Sequence, residues 1–139
     1  MRRTLAQVAL VALMATQAAC ATQPAAPPLR GTTWVLVQPD AAASGATPHL
    51  LLDAAQLRVS GQAPCNRITG GFTLDGDRLA FGQVVSTRRA CFPDDGGEQR
   101  FLQALAQVQR WRIDGGELLL FGSDAAAAPL LRLKPGKVP

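Results

Sequence analysis

Two Asp-Gly turns, each set between short alternating apolar runs, constrain this chain more than any other feature. Phe72-Thr73-Leu74 leads into Asp75-Gly76-Asp77 and out through Leu79-Ala80-Phe81. Trp111 and Ile113 alternate up to Asp114-Gly115-Gly116, and Leu118-Leu119-Leu120-Phe121 returns. A period of two places apolar side chains on one face of an extended segment, and Asp-Gly accepts the positive φ of a tight hairpin. A chain punctuated this way is committed to antiparallel pairing.

The remaining pattern adds strands and one helix. In Gly31 to Val37, Trp34 and Leu36 alternate against Thr33, Val35 and Val37. His49-Leu50-Leu51-Leu52 is a short apolar run, after a small-residue loop from Pro39 to Pro48. Gln56 to Ala63 sets Leu57 and Val59 against Arg58 and Ser60, a strand with one wet face. Leu130 to Lys134 is the last strand. Asp95-Gly96-Gly97-Glu98 has the form of a capping box. Phe101, Leu102, Leu105 and Val108 then make one apolar helical stripe, with Gln103, Gln107 and Arg110 facing water. The expected fold class is mainly β (α+β): an antiparallel sheet, curled or partly open and barrel-like, packed on a single α-helix. With 139 residues, 47% of them apolar, the chain has room for one core, and no internal repeat suggests a second.

The first residues read as an address. Arg2 and Arg3 form a positive start, Leu5 to Ala15 an apolar stretch broken only by Gln7, and Ala18-Ala19 precede Cys20. That stretch is too short for a bilayer span, which takes about 20 residues, and matches a secretory signal. Two cleavage sites fit. Cleavage before Cys20 follows the layout of a bacterial lipoprotein signal, although Gln17 stands where an aliphatic residue is usual; Cys20 would then carry palmitate-type acyl chains. Cleavage after Ala21 would discard Cys20 and leave a soluble periplasmic protein. The expected organisation is a signal peptide over 1–19, a lipidated Cys20 with an Ala/Pro-rich tether over 20–29, the domain over 30–134 and a frayed tail over 135–139. At about 3.1 Å per residue where it is polyproline-like, the tether reaches roughly 25 Å.

Export changes the reading of the other cysteines. With Cys20 acylated or removed, Cys65 and Cys91 remain as an even pair in an oxidising compartment. Their spacing suits neither a redox CxxC nor a paired-CxxC zinc site, and a single histidine, His49, does not complete a metal shell. A structural disulfide is expected, against two buried thiols or one reactive thiol. Charge excludes one function class. Of 14 Lys and Arg, Arg2 and Arg3 lie in the leader, leaving 12 against 10 Asp and Glu, or +2 for the mature chain. The arginines are scattered rather than clustered with aromatics, so no nucleic-acid partner is expected.

Taken together, GTTWVLV, LRVSGQAPCNRITGGF, LAFGQVVSTRRACFPDDGGEQRFLQAL and LLLF resemble META domains of the bacterial heat-shock protein HslJ type, over about residues 30–134. The most specific pieces are Cys65-Asn66 followed by Gly70-Gly71-Phe72, and Ser86-Thr87 followed by Ala90-Cys91 and Glu98. Pro64 departs from the pattern, where glycine is usual, and the Ala-rich 123–129 segment fits it loosely. The resemblance implies a small β-rich fold with one helix, often carried by envelope lipoproteins, with links to stress and drug tolerance and no established catalytic activity. It also implies a likeness of fold to a lipid-binding secretin pilot protein.

Candidate binding residues are Asn66, Thr87, Arg88 and Arg89. Asn66 and Thr87 equally suit turn closure, since asparagine tolerates left-handed backbone and both side chains bond nearby amides. Arg88 and Arg89 could meet an anionic lipid or acidic partner, or simply be solvated. Trp34 and Trp111 could stack a sugar or drug, though both lie in alternating strands and suit a core. Asp94, Asp95 and Glu98 could hold calcium but fit a helix start better. No G-x-S-x-G, phosphate loop or HExxH is present, so no catalytic residue, metal or cofactor is expected. The expectation is a monomeric, non-enzymatic envelope lipoprotein, anchored in the outer membrane through Cys20 and facing the periplasm. Its partner would be a hydrophobic small molecule or an envelope protein. The rival is a carrier holding an acyl chain or hydrophobic drug between sheet and helix.

Overall fold

The computed structural model describes residues 25–39, 46–92 and 95–138. The leader, Cys20, the start of the tether, Asp94, Pro139 and most of the Pro39–Pro48 loop lie outside them. The elements, in order, are β1 (Thr33–Gln38), β2 (His49–Leu52), β3 (Arg58–Gln62), β4 (Arg67–Asp75), β5 (Arg78–Phe81), β6 (Val85–Ser86), α1 (Gly97–Gln107), β7 (Arg110–Asp114), β8 (Glu117–Phe121) and β9 (Leu131–Pro135). The strands form one antiparallel sheet in the order β3-β2-β1-β9-β8-β7-β5-β4-β6, and a further β3–β4 pairing turns it into a ring. The chain is thus mainly antiparallel sheet with a single helix among the described residues.

Both Asp-Gly turns are hairpin turns, closed by Asp75 opposite Arg78 and Asp114 opposite Glu117. Gly76 has φ 56°, while Gly115 and Gly116 have φ 58° and 81°, so the second turn places two successive residues in the left-handed region as a type I′ hairpin requires. Alternation decides what goes inside. Leu50 and Leu52 of β2, Leu79 and Phe81 of β5, and Leu131 and Leu133 of β9 are buried between more exposed neighbours. In β8 the apolar run 118–121 is buried on both faces. Leu118 and Leu120 join the main cluster, and the outward Phe121 carries the Arg112 guanidinium 4.8 Å above its ring.

The core centres on Trp34, fully buried, with Leu50, Leu52, Val59, Phe72, Leu79, Phe101, Leu105 and Leu118 around it. Burying each such side chain contributes about 1.5–3 kcal/mol. The indole N–H of Trp34 donates to the Leu29 carbonyl at 2.9 Å, which satisfies the polar atom that burial would otherwise strand. Trp111 is half-buried, its N–H on the Gly76 carbonyl at 2.9 Å, bracing the first hairpin turn.

The ring closes weakly between β5 and β7, where Arg78 opposite Arg110 is the single register pair. Backbone bonds from Leu79 to the Gln109 carbonyl and from Trp111 to the Asp77 carbonyl reinforce it, with an Arg110–Asp77 ion pair at 2.7 Å. The helix packs on β5 beside this seam and buries Phe101 and Leu105 in the core.

Four boundaries differ from the expected ones. The helix stops at Gln107: Val108 is extended (φ −64°, ψ 129°) though still buried, and Arg110 opens β7 rather than facing out from a helix. The domain reaches past 30–134 at both ends. Leu29 is buried, and at the other end Pro135 stands in register opposite Trp34 while Gly136 donates to the Thr33 carbonyl. The hairpin strand expected at Phe72 begins five residues earlier, at Arg67, with Gly70 and Gly71 inside it. A Cβ at Gly70 would lie 2.9 Å from the Gln83 carbonyl oxygen, so glycine here lets the chain cross close to β4 on its way to β6.

Candidate functional site

The residues singled out in the sequence meet around one buried amide. Between β3 and β4 the chain turns through Ala63-Pro64-Cys65-Asn66, closed by the Ala63 N–H on the Asn66 carbonyl at 2.8 Å. Pro64 is buried at a position whose fixed φ suits a turn, so the departure from glycine is accommodated. Asn66 is 7% exposed and is the only buried polar side chain among the described residues. It is thus largely buried, though it borders a surface groove, and its backbone is not left-handed, since no described non-glycine residue has positive φ. Its side chain, not its backbone, explains its presence.

Every hydrogen-bonding position of the Asn66 amide is used. Its Oδ1 accepts from the Thr87 hydroxyl at 2.9 Å and from the Arg89 backbone N–H at 2.8 Å. Its Nδ2 donates to Glu98 Oε1 at 2.8 Å and to the Arg89 carbonyl at 3.3 Å. Full satisfaction is what makes a buried amide tolerable in a small core. Thr87 also accepts from the Arg67 N–H at 3.2 Å, and the Arg89 guanidinium donates to the Cys65 carbonyl at 3.3 Å. Asn66, Thr87 and Arg89 thus form one network. Arg88 is exposed and takes no part in it.

Glu98 departs from its expected role. Instead of closing a capping box onto its own helix start, its Oε2 accepts the backbone N–H groups of Cys65 and Asn66 at 2.8 and 2.7 Å. The helix N-terminus is served by Asp95, whose Oδ1 accepts from the Gly97 N–H at 2.9 Å, with Gly96 at φ 73° in the cap position. Sequence spacing could not show this, because the partners of Glu98 lie more than thirty positions away. Cys65 and Cys91 meet at disulfide-bonding distance, Cα atoms 5.9 Å apart, and tie the 87–91 segment to the same turn.

The network stands between two surface grooves. One, of about 800 Å³, runs between the disulfide segment and the outer side of α1, with Phe92, Leu102 and Ala106 on its walls. The other, of about 730 Å³, lies on the outer face of the sheet. His49 sits on this second groove, its Nδ1 2.9 Å from the Thr47 carbonyl. Elsewhere, Asp53 closes a local turn by accepting the Ala55 and Gln56 N–H groups. These bonds hold its carboxyl below the ordinary range, the Gln56 bond first and the Ala55 bond next, with Arg30 and Arg58 adding to them.

The family model for the META domain matches residues 27–135. The fold is shared with an NMR structure of a protein from Burkholderia xenovorans, 25% identical, with a TM-score of 0.61 over 84% of this chain and 96% of that one. It is shared also with a second protein solved by NMR, 20% identical, with a TM-score of 0.59 over 77% of this chain and 91% of that one. No curated protein matches the chain significantly.

Proposed function

The chain belongs to the META domain family, and on that footing we propose that it is a non-enzymatic module of the bacterial cell envelope, exported and held by acyl chains on Cys20. The observation that carries this reading is the agreement between the two ends of the cysteine pattern. A leader ending at Ala18-Ala19-Cys20 sends the chain to an oxidising compartment, and the two remaining cysteines stand at disulfide-bonding distance. The anchor faces the periplasm from the outer membrane; cleavage after Ala21 instead would give a soluble periplasmic form.

The chemistry of the central network favours a structural and binding role over a catalytic one. A general base needs a carboxylate free to take a proton. The Glu98 carboxylate is already committed to three N–H donors, and the Asn66 amide is saturated. Resemblance to HslJ-type domains supports a part in envelope stress or drug tolerance. A carrier with its ligand between sheet and helix would have to displace Phe101 and Leu105, which are 2% and 1% exposed in a filled core. Binding therefore belongs on the outer surfaces.

The intact mass of the mature protein extracted from membranes tests the proposal. A diacylated N-terminal Cys20 with Cys65 and Cys91 two protons short is expected. A chain that keeps its leader, found reduced in the cytosolic fraction, would overturn it.

A further inference from the structure

We propose that the outer face of the β1-β2-β3-β4-β6 sheet binds a single-chain anionic amphiphile, with Arg67 and Arg89 taking its head and an apolar row taking its alkyl chain. The inference deepens the binding role proposed above.

Strand register builds the surface. Leu50, Leu52, Val59 and Ile68 point into the core, so their neighbours in each strand point out. Pairing aligns Thr33, Leu51, Ser60, Thr69 and Val85 as one outward row across five strands. The adjoining row holds His49, Gln62 and Arg67, and continues to Thr87 through the Thr87 N–H on the Arg67 carbonyl. The first row offers apolar surface at Leu51, at the threonine methyls and at Val85, which stands 53% exposed on a two-residue strand, with the Ser60 hydroxyl between them. Val138 of the C-terminal segment adds a further apolar wall to the groove of about 730 Å³.

The second row leads to a cationic end. A recess of about 410 Å³ is lined by Gln62, Cys65, Arg67, Thr87 and Arg89, and Gln62, Arg67 and Thr87 line the larger groove as well. The two spaces therefore adjoin across these three side chains. Neither lining contains an acidic residue. The ion pairs among the described residues are Arg110–Asp77 and Arg132–Glu117, so Arg67 and Arg89 have no carboxylate partner there. Arg89 is held in place by its backbone N–H on Asn66 and its guanidinium on the Cys65 carbonyl. Two guanidinium groups without a carboxylate partner among the described residues, one of them fixed, match the oxygens of a phosphate or carboxylate head. Apolar surface beginning beside them matches a chain attached to that head. Charge complementarity thus selects an anionic amphiphile over a neutral one.

Calorimetric titration of the purified protein with dodecyl phosphate below its micelle concentration tests the site, with dodecyl maltoside and inorganic phosphate as parallel probes. The expected result is one dodecyl phosphate per chain, with amide NMR shifts confined to residues 49–51, 60–62, 67–69 and 85–89. Arg67→Ala and Val85→Asp should each weaken binding about tenfold, with their urea unfolding midpoints unchanged. Arg67→Glu, at an exposed position, provides a second head-group variant and should abolish binding. Absence of dodecyl phosphate binding overturns the proposal. So does equal affinity for dodecyl maltoside or for inorganic phosphate alone, insensitivity to the arginine variants, or NMR shifts clustered on α1. None of these outcomes depends on Cys20, so a failed titration leaves the envelope assignment to the mass measurement.

Discussion

Glu98 grips Asn66 twice, accepting its backbone N–H through Oε2 at 2.7 Å and its side-chain amide through Oε1 at 2.8 Å. One carboxylate near the start of the helix thereby fixes the turn between β3 and β4, and the same amide fixes the segment leading out of β6. The helix is joined to the sheet by charge-assisted bonds as well as by Phe101 and Leu105.

Removing Glu98 takes the acceptor from the Cys65 and Asn66 backbone N–H groups, and removing Asn66 takes it from the Arg89 N–H. Glu98→Ala and Asn66→Ala should each cost about 2–3 kcal/mol in urea unfolding, since a buried unsatisfied group costs about 1–3 kcal/mol. The double variant should lose less than the sum, with a coupling of about 1–2 kcal/mol. Strict additivity would mean that the two side chains act independently.

The covalent tie acts on the same segment by another route. It closes a loop of sequence separation 26, for which the chain-entropy model gives about 3.5 kcal/mol. Cys65→Ala and Cys91→Ala should each lower the melting temperature under oxidising conditions and lose their effect when the parent is reduced. Unchanged melting in both variants would mean that no disulfide forms.

Gly61 is held by a close approach rather than by a turn. A Cβ there would overlap the carbonyl of His49 on β2, a backbone atom that cannot rotate away. Gly61→Ala should force β2 and β3 apart and cost about 2–4 kcal/mol. Gly76→Ala, with open space around its Cβ position, should suffer only the strain of a positive φ, about 1–2 kcal/mol. Comparing their urea midpoints separates the two causes.

Asp53 gives stability a local pH dependence. Its folded pKa is depressed by the Gln56 and Ala55 N–H groups, so its contribution is present above the unfolded value and disappears as pH falls through the folded one. Asp53→Ala should therefore be less stable than the parent at neutral pH, with the gap closing in acid below the ordinary carboxylate range. A gap that stays constant across that range would assign the loss to packing instead.

Periodicity and turn chemistry determine much of this protein locally. The two Asp-Gly hairpins, the strands around Trp34 and Val59, and the Phe101–Leu105 stripe are all legible, because each depends on neighbours a few residues away. The order of the META motif is equally a property of the sequence, and it marked Asn66, Thr87 and Glu98 as related without saying how. Tertiary structure decided the rest. Gly70 and Gly71 obscured the first half of β4, and the purpose of Gly70 is to admit the backbone at Gln83 and Val84 rather than to alternate. Two-residue β6 carries too short a pattern to read. Glu98 has the spacing of a cap, yet the N–H groups it serves lie on a turn brought alongside only when the ring closes. A side chain that can satisfy either a local or a distant donor takes the one left unsatisfied by burial, and burial exists only in the folded molecule.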